Sequence, residues 1–178
     1  MSMLKTTFLI LAVFHGIAFA SADKDFKASV IGVINGHTLI VQTDSAQLKV
    51  RLYGIACPDL RQPYGLMACK YSARAVNGKQ IQVVVKSRDD NGVIAGRVYL
   101  EKNNDGDCLN RELVKQGLAW WNQVESPTEL TLNKLEKLAR AKKIGLWQDD
   151  DPLPPHAFKE IKKQQKMASR KSRLRSGT

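Results

Sequence analysis

The pattern of apolar and polar positions divides the chain into short alternating runs followed by longer helical ones. "FKASVIGVI" (26–34), "HTLIVQT" (37–43) and "LKVRLYGI" (48–55) are short, rich in β-branched residues and separated by Asn35-Gly36 and Asp44-Ser45. They predict a three-stranded meander. From Tyr64 to Val76 the period changes, with Leu66, Ala68, Cys69, Ala73 and Val76 at helical spacing and Asn77-Gly78 as the stop. "KQIQVVVKS" (79–87) and "GRVYLEK" (96–102) then predict two more strands around the turn-rich "RDDNG". Two helices follow. One, opened by Asn110, runs from Asn110 to Ala119; the other, from about Thr128 to Lys143, carries Leu130, Leu132, Leu135, Leu138 and Ala139.

Five strands with a helix between the third and the fourth is the order of an OB-type barrel. The expected fold class is therefore α+β, a five-stranded OB-type β-barrel with three helices. Barrels of this type often bind single-stranded nucleic acid, but a fold alone does not fix a function.

The ends of the chain differ from its middle. After Lys5 the sequence is uncharged from Thr6 to Ala22, with an apolar centre at Phe8 to Val13 and small residues at Ala20, Ser21 and Ala22. Residues 1–22 read as a secretory signal peptide with an A-x-A cleavage site. Seventeen uncharged residues that include His15 are marginal for a membrane span of about 20. The expected product is a secreted or periplasmic protein with no transmembrane span. Residues 23–151 form one domain, large enough for its own core, and a monomer is expected.

Charge is concentrated at the other end. The chain carries a net charge of +11, yet between Asp23 and Pro155 there are 19 basic against 16 acidic residues. The excess sits in the tail at Lys159, Lys162, Lys163, Lys166, Arg170, Lys171, Arg173 and Arg175, opposed only by Glu160. With few aliphatics and no aromatic after Phe158, residues 152–178 cannot bury enough apolar surface to fold alone. They read as a disordered tail or a fraying helical extension. Such a segment is either a solubilising terminus or an arm that binds nucleic acid or another polyanion.

Cys57, Cys69 and Cys108 leave one thiol over if a bridge forms in an oxidising compartment. A Cys69–Cys108 bridge is the first expectation, since Cys57 belongs to a rim loop; buried free thiols are the alternative.

Several motifs in order carry a family resemblance. Val33, Gly36 and Thr38 match V-x-D-G-D-T; Arg51, Leu52, Gly54, Ile55 and Pro58 match R-L-x-G-I-D-x-P-E. "QPYGLMA", Gly96-Arg97, "LNRELVKQGLAW", Glu136, Ala139 and "GLW" follow at the right spacing. Over Phe26 to Trp147 the chain resembles the staphylococcal nuclease (thermonuclease) family.

That resemblance implies a calcium-dependent phosphodiesterase. In such a site two aspartates hold the cation, a glutamate activates water, and two arginines neutralise the phosphate. The arginines carry over as Arg51 and Arg97. The cation ligand positions hold His37 and Ala56, the general base position holds Asp59, and Asn35 replaces a neighbouring acid. Tyrosines that stack on the nucleotide would fall near Gln123 and Glu125. Neutral imidazole and a methyl group are poor partners for a hard cation, so no cofactor is expected and no metal ligand is assigned.

Two readings follow. In the first, calcium-dependent cleavage is lost or strongly impaired, and the barrel remains as a binding module for nucleic acid or another polyanion. In the second, His37, Arg51, Asp59 and Arg97 form an active endonuclease on RNA or DNA that uses a different metal or none, His37 having an ordinary pKa near neutrality. Trp120 and Trp121 are adjacent, so one is expected in the core and the other at the rim or as a stacking platform.

Overall fold

The computed structural model describes residues 24–100 and 108–176, with side chains to 173. The segment read as a signal peptide lies outside the described residues, as does the Arg175 side chain. Five strands close a barrel: β1 (Phe26–Asn35), β2 (Thr38–Gln42), β3 (Gln47–Leu52), β5 (Gln80–Arg88) and β6 (Ile94–Leu100), in the order β1-β2-β3-β6-β5. β1, β2 and β3 form the antiparallel meander, β1 also pairs antiparallel with β5, and the joint between β3 and β6 is parallel. Between β3 and β5 come the short β4 (Ile55–Ala56) and the helix α1 (Gly65–Val76). After β6 come α2 (Leu109–Lys115), the short β7 (Trp120–Trp121), α3 (Leu130–Ala141), a 3-10 turn (Gly145–Gln148) and α4 (Pro155–Ser176).

Alternation along the strands fills the barrel. Val30, Leu39, Val41, Val50, Leu52, Ile81, Val83, Ile94 and Val98 are almost wholly buried, and Ala68 and Val76 of α1 and Leu113 of α2 pack on the same cluster. Burial of such side chains contributes roughly 1.5–3 kcal/mol each. Gly36 sits where α1 crosses the β1–β2 turn. A Cβ there would lie 2.7 Å from the Ala68 Cβ and 2.8 Å from the Cys57 Sγ. Ser72 secures the crossing by donating its hydroxyl to the Gly36 carbonyl at 2.7 Å.

Four details depart from expectation. α2 stops at Lys115 rather than Ala119, because Gly117 takes φ 60 and sends Leu118 onward as extended chain. That chain pairs Trp120 and Trp121 with Ala56 and Ile55, a two-stranded sheet that the pattern did not predict. There are four α-helices among the described residues rather than three, since the basic segment forms the 22-residue helix α4. The Cys69–Cys108 bridge is not formed: all three thiols are free. Cys108 precedes α2, its backbone paired with that of Tyr99, whereas the Cys57 thiol, pushed up in pKa by burial first, also feels the nearby Cys69.

Asn110 was expected only to open a helix. It is buried and ties three segments together, accepting from the Val98 amide at 3.0 Å and donating to the Tyr53 carbonyl at 2.8 Å and the Gly96 carbonyl at 3.2 Å. The β3–β4 turn is thereby fixed against β6, which positions both arginine-bearing strands.

Candidate functional site

At one end of the barrel a cleft of about 880 Å³ opens between the β1–β2 turn, the loop after β4, the loop after β7 and the root of α4. His37, Ala56, Asp59, Trp121 and Lys159 all face it. Its rim carries exposed apolar side chains, Ile34, Leu60 and Val124, the last 96% exposed.

His37 is held by the turn that precedes β2. Its amide donates to the Asn35 Oδ1 at 3.0 Å, and its ring Nδ1 accepts the Cys57 amide at 3.2 Å. Burial first, then the positive charges of Arg51 and Lys159, lower its pKa to about 4. The imidazole is neutral at physiological pH, and one of its nitrogens is engaged as an acceptor.

Asp59 is set differently. It lies at the mouth of the cleft, and its Oδ1 accepts from both the side chain and the backbone amide of Arg61 at 3.1 Å. These hydrogen bonds, the side-chain one first, lower its pKa. The loop behind it is braced by Gln62, whose Oε1 accepts the Asp59 amide at 2.7 Å and whose Nε2 donates to the Leu153 carbonyl at 3.0 Å. One buried glutamine thus joins the Asp59 loop to the segment that launches α4.

The two arginines do not line this cleft. Arg51, on β3, makes a two-point ion pair with Glu125, Nη2 to Oε1 at 2.5 Å and Nη1 to Oε2 at 3.0 Å. The pair raises the Arg51 pKa, chiefly through the side-chain hydrogen bond. Glu125 is itself fixed, since its Oε2 accepts the Gly54 amide at 2.9 Å and its carbonyl accepts the Tyr53 hydroxyl at 2.7 Å. Arg97, on β6, pairs with Glu129 in a separate small recess beside Tyr53, Asn110 and Leu132. Of the four residues singled out in the β1–β2 turn, on β3, on β6 and in the β4–α1 loop, the structure therefore brings His37 and Asp59 to one cleft and ties Arg51 and Arg97 to carboxylates outside it.

This order of segments and motifs has a counterpart in known proteins. The family model described as "Staphylococcal nuclease homologue" matches residues 49–149. The chain belongs to the staphylococcal nuclease family. It is 33% identical to an Escherichia coli protein named "Uncharacterized endonuclease", over 78% of this chain and 88% of that one. A Haemophilus influenzae protein of the same name is 31% identical over 86% of this chain and 84% of its own length. A Shigella flexneri protein named "Micrococcal nuclease" is 28% identical over 83% and 88%.

Calcium is the cation that the staphylococcal nuclease family implies, and the donors here do not fit it. At the two ligand positions stand an imidazole engaged with the Cys57 amide and the methyl group of Ala56, and the nearby carboxylate of Asp59 is shared with Arg61. A hard cation wants several oxygen ligands, and among the described residues no three His, Cys, Asp or Glu side chains gather to hold a metal ion.

Sequence reasoning missed Glu125, Glu129 and Gln62. Glu125 left a signal: an acid stands where the family resemblance places a stacking tyrosine, in a chain that has lost acids elsewhere in the site. Gln62 left none, because its role depends on a carbonyl 91 residues away. Both tryptophans face the cleft. Trp120 is the core residue, edge-on to Trp147 at 5.9 Å between ring centroids. Trp121 is half-buried, its indole N–H donating to Ser126 at 3.1 Å.

Proposed function

We propose that this protein is an exported nucleic-acid-binding member of the staphylococcal nuclease family in which calcium-dependent cleavage is lost or strongly impaired. The observation that carries the reading is the ion pairing of both arginines. A guanidinium that is to neutralise a pentacoordinate phosphate must present its donors to the substrate, but Arg51 and Arg97 give theirs to Glu125 and Glu129. The ligand positions support the same reading through His37 and Ala56. The cleft keeps features suited to binding: the half-buried Trp121, an apolar rim and the cation of Lys159. Export rests on the character of residues 1–22.

A second reading, an endonuclease working with another metal or none, draws on the relatives that bear that name at 31–33% identity. His37, neutral and in the same cleft as Asp59, would be its proton acceptor through Nδ1, the unprotonated nitrogen of the ring, and would release the Cys57 amide in doing so. One experiment separates the two. Labelled DNA and RNA are incubated in parallel with calcium, manganese, zinc and chelator, and binding is followed by fluorescence anisotropy. Binding without cleavage in every condition is expected. Cleavage that His37→Ala abolishes and chelator leaves unchanged would establish the second reading instead.

A further inference from the structure

The basic residues of α4 are not scattered around it. At about 100° of rotation per residue, Lys159, Lys162, Lys163, Lys166, Arg170 and Arg173 fall within an arc of about 100°, whereas Lys171 and the acid Glu160 fall outside it. The arc has a fixed bearing. Pro155, His156 and Lys159 line the cleft and lie on or beside the same face of the helix. Lys159 is near enough to lower the pKa of both His37 and Asp59. The root of the helix is anchored, since Gln62 holds the Leu153 carbonyl and the Asp59 amide at once. From Lys159 to Arg173 the stripe is about 21 Å long at 1.5 Å per residue.

We infer that α4 continues the cleft, so that one strand of nucleic acid lies against the cleft floor and runs out along the basic face of the helix. The inference rests on the reading of the cleft as a nucleic-acid site and adds a path and a direction to it. A single strand is favoured over a duplex because Trp121, Ile34, Leu60 and Val124 offer apolar surface, which an unstacked base can cover and a paired one cannot. The stripe gives one or two cations per helical turn, fitted to successive phosphates along one backbone. A membrane is disfavoured by the rest of the helix: opposite the cations lie Ile161, Gln164, Gln165, Ala168 and Ser172, one aliphatic among polar and small residues, without the broad aromatic and leucine face that inserts into lipid.

The test uses the full chain and thymidine oligonucleotides of graded length, followed by anisotropy. Affinity is expected to rise with length beyond what the cleft alone accommodates. A rephased variant carries Lys162→Gln, Lys163→Gln and Lys166→Gln together with Gln164→Lys, Gln165→Lys and Ala168→Lys, which preserves net charge and moves three cations to the far face. Its affinity for long strands is expected to fall at least about tenfold and its salt slope by about 2, from three lost single-strand phosphate contacts, while short strands bind as before. In the unmodified protein, a long strand is expected to shield Lys162 and Lys166 from acylation and leave Lys171 reactive.

Equal binding of long strands by the rephased and unmodified proteins would overturn the track. So would length-independent affinity, which would leave the cleft reading standing. Failure of the unmodified protein to bind any oligonucleotide would overturn both. Binding to phosphatidylserine vesicles in preference to every oligonucleotide would reassign the stripe to a membrane surface.

Discussion

Glu125 occupies Arg51 as a substrate phosphate would, meeting both terminal nitrogens with its two oxygens at 2.5 and 3.0 Å while also accepting the Gly54 amide at 2.9 Å. Planar two-point recognition is what guanidinium groups offer to carboxylates and phosphates alike. A phosphate that is to engage Arg51 must therefore displace an intramolecular competitor whose effective concentration never falls.

Removing that competitor makes the first prediction. Glu125→Gln keeps an oxygen for the Gly54 amide but deletes the charge, and is expected to raise affinity for oligonucleotides several-fold. It is also expected to cost about 1 kcal/mol of stability, a modest figure because the Arg51 side chain is 35% exposed and the pair is partly screened. Anisotropy and urea unfolding read the two effects; unchanged binding would mean that Arg51 does not reach the strand.

The second prediction concerns pH. Burial keeps the His37 pKa at about 4, below the ordinary 6.5, so as pH falls the unfolded chain takes up the proton first. The contribution of this residue is full above pH 6.5 and is lost between 6.5 and about 4, at about 1.4 kcal/mol per pH unit. Denaturant midpoints across that window are expected to fall more steeply for the unmodified protein than for His37→Gln. Parallel curves would place the imidazole in water.

A third prediction separates the cation site from the phosphate site. His37→Asp, Ala56→Asp and Asp59→Glu together are expected to create calcium binding measurable by calorimetry, because they supply the missing oxygen donors. Cleavage is expected to stay weak until Glu125→Gln is added, since Arg51 is otherwise committed. If the triple variant already cleaves as fast as the quadruple one, the ion pair is no barrier to catalysis.

Asn110 supplies a fourth. Asn110→Ala leaves the Val98 amide without its acceptor and takes a donor from the Tyr53 and Gly96 carbonyls, in a buried position. The expected loss is about 2–4 kcal/mol, seen as a lower unfolding midpoint. A loss below about 1 kcal/mol would show that water replaces the amide.

The barrel was legible because its strands announce themselves by alternation and by the turn-forming residues between them, as at Asn35-Gly36 and Asp44-Ser45. Helices α1 and α3 were legible from their apolar spacing to within a residue or two. What escaped were features decided by contacts between distant residues. The pairing of Ile55 with Trp121 involves two residues on each side and leaves no periodic trace. The departure from calcium ligands at His37 and Ala56 could be read position by position, but the capture of Arg51 and Arg97 could not, because an arginine looks the same in sequence whether it faces a phosphate or a glutamate.

The barrel also has a consequence for the order of folding. Its closure joins Phe26 to Val83 and Val50 to Ile94, contacts between residues more than forty positions apart. Topologies dominated by such pairings fold in roughly milliseconds to seconds, whereas helical segments relax within about a microsecond. The basic helix is local and can form turn by turn before the barrel closes, but its bearing depends on Gln62 and Leu153, which meet only when the distant strands do. Cations would thus be ready early and aimed late, so a newly made chain would meet polyanions first as an unspecific binder and acquire its direction only in the slow phase. Tryptophan fluorescence in stopped flow, with and without oligonucleotide, would resolve the two stages.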